Sequence, residues 1–372
     1  MKQGKSLTEL AAEIERQHLT KKDYVAGTTS MVVHAPLNEA TAKREGVSLR
    51  VGDDLDFRIN DIAHDQIAEH TGIPKRYYDR MRAEHPQLLA NNINEWFNKY
   101  PAPRLVRTLD GRARAFLSDK YQPLDNHDFA EAALPVLLQR KLEIMSCEIT
   151  ERKLYIKAVD TKLFRDVPVG YKFGDGSHKI YDTCAPVVIL SNSEVGFGRL
   201  VIETGVYTQA CTNTALWAGG GMKKTHVGAK HRLLDGMDVN ELDSILSNEA
   251  KRKSMEALWL QARDVIAAAF DQDMIGKRLE KLAATAGNKI TGKIDKVIEV
   301  VREKFTLTEN EGESILKHLI EGGSLSQYGL HAAVTRSAQD NESYDRATEL
   351  EYLGGKIIEL PANDWARIAE AA

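Results

Sequence analysis

The stretch of residues 187–230 restricts the possible folds of this chain more than any other. Residues 187–190 form an apolar run, and residues 199–210 alternate polar with β-branched or aromatic side chains. Both patterns predict β-strands. The sequence SNSEVGFG lies between them and supplies short polar side chains and two glycines suited to a turn. A glycine-rich segment at residues 219–221 then leads into a basic cluster, so positive charge is expected beside a sheet.

The charge is distributed unevenly along the 372 residues. Residues 1–100 carry a net charge of −1, residues 101–232 carry +5 and residues 233–372 carry −8. We therefore expect an α+β protein in three parts: a mixed N-terminal region, a basic core built on one antiparallel sheet, and an acidic helical region. A basic core is typical of proteins that bind polyanions. Uneven surface charge without a function is the alternative.

The composition and the termini favour a cytoplasmic protein. No apolar run approaches the roughly 18–20 residues that a membrane span needs, and the charged N-terminus lacks the apolar segment of a signal peptide. The three cysteines, Cys147, Cys184 and Cys211, are too widely spaced to indicate a disulfide framework.

Residues 61–96 have a helical pattern that is broken at residues 71–74. One interpretation is a helix-turn-helix whose second helix presents basic residues to DNA; these are Lys75, Arg76, Arg80 and Arg82. The other, which we favour, is an αα-hairpin with its apolar side toward a core; that side is Ile67, Ile73, Tyr77 and Met81.

Two hairpins are predicted in the basic core. The first joins residues 105–109 to residues 112–117 through Asp110-Gly111, and the second joins residues 142–149 to residues 153–159. Cations accompany the first hairpin: Arg104, Arg107, Arg112, Arg114 and Lys120. In the second, Lys153, Tyr155 and Lys157 share one face and suit phosphates with a stacked base. Solvated strand faces are the alternative for both sets.

The remaining segments are assigned by pattern. Residues 160–182 read as a polar loop, and helical segments begin near residue 238 and continue to residue 353. Capping boxes predict helix starts after Ser6 and after Thr308, because Glu9 and Glu311 follow three residues later.

Catalytic motifs are weak, so no catalytic residue, metal or cofactor is expected. His226, His231, Cys184 and Cys211 lack the tight pairing of zinc ligands, and Ser193 is not in a nucleophile elbow. The glycines at residues 219–221 do not form a phosphate-binding loop of the Walker type. One alternative stays open: the carboxylates of Asp119, Asp125 and Asp128 could serve a metal-dependent nuclease.

Four stretches resemble the phage/plasmid-like protein family known as domain of unknown function 932. They are SNSEVGFG followed by CTN at residues 211–213, RTLDGRARAFLSDKYQPLDN at residues 107–126, SLSQYGLHAAVTRSAQ at residues 324–339, and Gly354-Gly355. The resemblance implies a mobile-element setting and a motif turn containing Asn192, Ser193, Glu194, Gly196, Cys211 and Asn213. Thr214 departs from the glycine that the family pattern places after Asn213.

The predicted element order of residues 105–231 is also similar to the core of single-strand annealing recombination proteins, which hold single-stranded nucleic acid in a basic groove along an oligomeric ring. By analogy we expect a homo-oligomer that binds single-stranded DNA or RNA without strong sequence preference. The expected contacts are Arg104, Arg107, Arg112, Arg114, Lys120, Lys153, Lys157, Arg199, Lys223, Lys224, Lys230 and Arg232, with Tyr155, Tyr207 and Trp217 as stacking platforms. The alternatives are the nuclease and a non-catalytic assembly protein whose helical half binds a protein partner.

Overall fold

The computed structural model describes residues 2–172, 178–208, 213–226 and 247–372, and over these residues the chain is an α+β protein. The strands are β1 (Lys22–Gly27), β2 (Met31–His34), β3 (Ser48–Val51), β4 (Leu55–Ile59), β5 (Pro103–Leu109), β6 (Arg112–Ser118), β7 (Glu143–Ile149), β8 (Leu154–Val159), β9 (Arg165–Lys172), β10 (His178–Asn192), β11 (Leu200–Thr208) and β12 (Asn213–Lys224).

The helices divide into an N-terminal and a C-terminal group. The first six are α1 (Leu7–Thr20), α2 (Glu39–Glu45), α3 (Asp61–Thr71), α4 (Lys75–Glu84), α5 (Pro86–Lys99) and α6 (Asn126–Gln139). The others are α7 (Asn248–Ala268), α8 (Gln272–Thr285), α9 (Ile294–Phe305), α10 (Glu309–Gly322), α11 (Gln327–Ser337), α12 (Tyr344–Ile358) and α13 (Ala362–Ala369).

The first sheet has the strand order β1-β5-β6-β4-β3-β2. Its neighbours are antiparallel except β4 and β6, which run parallel. Asp110 and Gly111 join β5 to β6 with φ of 51° and 72°, as the favoured two-residue hairpin turn requires. Helices α3 and α5 pack on this sheet and bury apolar side chains such as Ile67, Leu89 and Phe97.

The second sheet has the order β12-β11-β10-β8-β7, and β9 pairs with the first half of β10. Helices α1, α6 and α7 cover one face through a core that includes Leu10, Phe129 and Leu258. The C-terminal helices cover the other face, where Tyr328 of α11 packs with Val206 of β11. Helix α12 also lies against β12. Because helices cover both faces, all six residues of β8 are buried.

The predicted single sheet over residues 101–232 is wrong. Strands β5 and β6 belong to the first sheet, together with strands that precede residue 101, whereas β7 to β12 form the second sheet. The hairpin turns themselves are confirmed. Alternation along a strand reveals its two faces, but it carries no information about which other strand lies alongside.

Two further segments differ from expectation. Residues 160–182 were predicted as a loop and contain β9 and the start of β10. The glycines at residues 219–221 lie inside β12. A Cβ at Gly221 would sit 1.8 Å from the backbone oxygen of Ile202. This glycine therefore lets two strands approach closely.

The helical assignments are largely confirmed. Both capping boxes are formed, at Ser6–Glu9 and at Thr308–Glu311. Helix α7 begins at Asn248, while residues 238–246, where the pattern places its start, lie outside the described residues. The chain also forms α13, which the sequence pattern did not indicate.

Helices α3 and α4 form the αα-hairpin favoured from the sequence. Ile67, Ile73 and Met81 are buried, although Tyr77 is 48% exposed and Tyr78 takes the core position instead. Three of the four cations of α4 are paired with carboxylates: Lys75 with Asp65 and Asp79, Arg80 with Glu84, and Arg82 with Asp61. These pairs leave little free charge for reading DNA.

Candidate functional site

The SNSEVGFG turn leaves the end of β10 and packs into the junction between the two sheets. Asn192, Ser193 and Glu194 are all buried. The Asn192 amide donates to the Leu124 carbonyl at 2.7 Å and to Asn126 Oδ1 at 2.9 Å. Ser193 Oγ donates to the Arg152 carbonyl at 2.8 Å. The turn is therefore held by neighbouring backbone and side chains, beyond its own local geometry.

Glu194 connects the turn to two other elements. Its Oε1 accepts the backbone N–H of Asn126 at 2.8 Å, at the start of α6, and its Oε2 lies 2.9 Å from Arg114 of β6. The Asp125 side chain makes no capping bond to this helix. Glu194 therefore caps α6 from outside while it neutralises a buried cation.

Arg107 and Arg114 are corrections to the expected binding surface. Arg107 is fully buried, and its guanidinium donates to Asp23 at 2.9 Å, to Asp125 at 2.7 Å and to the Glu194 carbonyl at 3.0 Å. The Arg114 side chain is 9% exposed and paired with Glu194. Neither guanidinium is available to a phosphate, because both are buried and already paired with carboxylates of the protein.

Asp125 is likewise committed to the junction. It pairs with Arg107 at 2.7 Å and also with Lys21. Burial opposes ionisation of this carboxyl, but the two cations outweigh burial and hold its pKa well below the usual range. Both carboxylate oxygens therefore belong to the ion-pair network, so neither is available to bind a metal ion.

Lys157 and Tyr155 are also corrections. Lys157 is fully buried and its Nζ lies 2.6 Å from Glu351 of α12. Tyr155 is 3% exposed and its hydroxyl donates to Asp345 at 2.8 Å. The face of β8 predicted to meet nucleic acid instead receives α12. Tyr207 is 5% exposed and packs with the same helix through Tyr352, so it is not a stacking platform either.

The remaining predicted cations divide between the two sheets. On the first sheet, Arg112 is exposed, and Arg104 Nη2 lies 2.5 Å from His70 Nδ1. On the second, Lys223 is paired with Glu203. Cys211, Lys230 and Arg232 lie outside the described residues, as do the side chains of Asn213 and Trp217.

Five cations do surround the segment from Gly196 to Arg199, and we call them the loop cations. They are Lys120, Arg152, Lys153, Arg199 and Lys224, each exposed or half-buried. The Arg152 guanidinium lies 4.7 Å from the centre of the Phe197 ring. Within the described part of the chain, none of the five pairs with a carboxylate. They form a group of cations that is available to an outside anion.

A cavity of about 550 Å³ opens beside these cations. It is lined by Leu117, Ser118, Lys120, Tyr121, Gly196, Gly198, Arg199, Thr225 and His226. Gly196 has φ of 85°, and a Cβ there would lie 2.8 Å from Leu117 Cδ2, so this position requires glycine. Tyr121 is fixed from behind, since its hydroxyl donates to the Ser193 carbonyl at 2.9 Å.

His226 forms part of the cavity wall and is 4% exposed. Its ring stacks on Tyr121 with 4.9 Å between ring centres and 3° between planes. Burial lowers its pKa to about 4, although a hydrogen bond with the Gln122 backbone opposes this shift. Both ring nitrogens are closed off from solvent. The ring is therefore neutral near pH 7.

A second polar cluster lies at the start of α6. His127, Asp128 and Glu131 place three potential metal-ligand atoms within 4.8 Å of one another. The Asp128 and Glu131 side chains are exposed, and acidic residues are favourable in the first turn of a helix without any ion. Of the three carboxylates that the nuclease alternative invoked, Asp128 is a member of this cluster, whereas Asp119 and Asp125 are not.

Sequence reasoning identified Lys120, Lys153, Arg199 and Lys224 but missed the aromatic half of the site. Tyr121, Phe197 and His226 come from three separate segments, and His226 was considered only as a member of the basic cluster and as a metal ligand. Arg152 was assigned to a turn. Tyr121 and Phe197 do lie inside the two stretches that carry the family resemblance, and this was the available signal.

Comparisons with protein-family models, curated proteins and solved structures found no match to this chain. The family resemblance therefore rests on the sequence motifs quoted above. Among the described residues, no helix is both long and apolar enough to cross a membrane.

Proposed function

We propose that this protein binds single-stranded nucleic acid with little sequence preference through the loop cations. Such a protein could anneal or protect strands during mobile-element replication or recombination. The observation that carries the proposal is the group of five unpaired cations around one glycine-containing loop and one cavity. Phosphate contacts of this kind supply affinity that does not depend on sequence. A cytoplasmic location and a homo-oligomer belong to the same proposal.

The aromatic groups at the loop favour a single strand over a duplex. Phe197 is half-buried beneath the Arg152 guanidinium, and Tyr121 forms a cavity wall. Base–aromatic stacking needs bases that are free of a partner strand, and such stacking tolerates every base. Duplex DNA presents mainly its phosphates to such a surface, so its affinity includes only the electrostatic contribution.

The test is a binding titration of labelled single-stranded and duplex DNA at two salt concentrations. We expect tighter binding of the single strand and a steep loss of affinity as salt rises. The variant Lys120→Gln/Arg199→Gln should weaken binding and lower the slope of log affinity against log salt by about 0.7 for each lost contact. Arg112→Gln is the control, because it removes an exposed cation at the end of β6 that is opposite to Lys120.

Absence of binding at low salt would refute the proposal and favour the assembly alternative. Equal weakening by the control variant would place the binding surface elsewhere. The bound DNA is also checked for cutting, since cleavage that requires magnesium or manganese would support the nuclease alternative instead.

A further inference from the structure

Two of the sheet edges are closed by other parts of the chain. At β2, an edge of the first sheet, the Asn94 side chain accepts the Val33 N–H at 2.7 Å and donates to the Val33 carbonyl at 2.7 Å. At β7, an edge of the second sheet, the Lys5 N–H donates to the Cys147 carbonyl at 2.7 Å. Folded proteins close their edges in this way because an open edge can pair with another chain.

Strand β1 is the other edge of the first sheet, and its backbone alternates between residues that bond to β5 and residues that point away. The Thr28 N–H, directly after the strand, donates to the Ala102 carbonyl at 3.0 Å. This bond fixes the alternation, so the outward backbone groups belong to Asp23, Val25 and Gly27. Within the part of the chain that the structure describes, the N–H groups of these three residues and the carbonyls of Asp23 and Val25 have no hydrogen-bond partner.

The Val25 side chain adds an exposed apolar group to the open edge. It is 67% exposed, although it lies opposite the buried Leu105 of β5. Leu105 in turn lies opposite the buried Leu117 of β6. An apolar row therefore crosses the sheet and ends at a solvent-exposed valine. A further strand with an apolar side chain opposite Val25 would continue this row.

The sequence of β1 suits antiparallel pairing with a second copy of itself. In a pair centred on Val25, the two Val25 side chains face each other, Asp23 faces Gly27, and Tyr24 faces Ala26. The large tyrosine then meets a small side chain, and no like charges are opposed. The outward backbone groups of the two copies also face each other in this register.

We propose that β1 is the interface for a second copy of this chain, with a two-fold axis at Val25 and a sheet that continues from one copy into the other. A two-fold axis closes the interface, because each copy uses the same strand and leaves no open β1 edge. The inference rests on the proposed function only in that it assigns an interface to the homo-oligomer. It requires no nucleic acid.

The test measures the molar mass of the full chain without nucleic acid, by analytical ultracentrifugation over a range of protein concentrations. The wild-type protein should self-associate, and Val25→Lys should weaken the association at least about tenfold, because two lysines would face each other at the axis. Val32→Lys is the matched control and should associate as the wild type does, since Val32 is 46% exposed on the closed strand β2. An equimolar mixture of Val25→Lys and Val25→Glu should restore association, because opposite charges then meet.

Hydrogen exchange of the wild-type protein gives a second measurement, in case Val25→Lys does not fold. The outward amides of Asp23 and Val25 should exchange more slowly as the protein concentration rises. The amides of Tyr24 and Ala26 should exchange slowly at every concentration, because they point toward β5.

Three results would overturn the inference: a wild-type monomer at every concentration, equal weakening by the two lysine variants, or association without added protection of Asp23 and Val25. A monomer would leave the β1 edge to a strand of a different protein. None of these results affects the proposed binding of single strands, which the DNA titration measures separately. Self-association as expected with no DNA binding would refute the proposed function alone.

Discussion

Glu194 shows at the scale of one residue why the SNSEVGFG turn has its composition. Its carboxylate accepts the first backbone N–H of α6 and neutralises Arg114, and it does both while 5% exposed. A buried carboxylate is costly unless it is paired and hydrogen-bonded, and here both conditions hold. The turn motif is therefore the point at which the two sheets and α6 are joined.

Glu194→Gln should destabilise the protein by about 3–5 kcal/mol, because it leaves the Arg114 guanidinium buried without a counter-charge. The free energy of unfolding from urea denaturation measures the effect. Asp110→Asn is the control, since it removes an exposed carboxylate from its pair with Arg16 and should cost less than about 1 kcal/mol. Equal losses in the two variants would show that Glu194 is no more than a surface charge.

At the scale of elements, local chemistry was predictable from sequence and long-range packing was not. The Asp110-Gly111 turn and the capping boxes at Ser6 and Thr308 depend on neighbours within three residues, and all were predicted. Strand β8 shows the limit. Its alternation of Leu154, Ile156 and Ala158 with Lys153, Tyr155 and Lys157 suggested one solvated face. Nothing local indicates that α12, some 190 residues later, covers that face with its own carboxylates.

The contact between β8 and α12 can be tested as a pair. Lys157→Met alone should lower the free energy of unfolding by about 3–5 kcal/mol, because it leaves the fully buried Glu351 carboxylate without its partner. The double variant Lys157→Met/Glu351→Leu should recover most of that loss, since two apolar side chains suit the same buried space. A double-mutant cycle from urea denaturation gives the coupling. Additive losses would contradict a direct pairing.

Over the whole molecule, part of the charge difference between the segments is neutralised by contacts inside the fold. The acidic C-terminal region contributes Glu351 to Lys157 and Asp345 to Tyr155 of the basic middle region. Within the basic middle, Arg107 and Arg114 are neutralised at the junction. The net charge of +5 therefore overstates the positive charge that is available to an outside anion. A sum over a sequence segment counts buried and exposed charges alike, so the distinction had to come from the structure.

Buried histidines make the stability of the whole molecule depend on pH. Burial lowers the pKa of His64 to about 3, and burial also lowers the pKa of His331 to about 4 despite its bond to the Gly354 carbonyl. Below about pH 6.5 the unfolded chain binds protons that the folded protein does not. Stability should therefore fall as the pH drops from about 6.5 toward 4. Asp125 acts in a separate window, because its lowered pKa removes stability only below about pH 4.

The expected loss of unfolding free energy between pH 6.5 and 5 is about 2 kcal/mol per buried histidine. His331→Gln should reduce the loss of unfolding free energy over this interval by about that amount, whatever it does to stability at pH 7. Urea denaturation of the wild-type protein and this variant at both pH values provides the comparison. A wild-type stability that stays flat from pH 7 to 5 would mean that the buried imidazoles take up protons without unfolding, and it would contradict the lowered pKa values of His64 and His331.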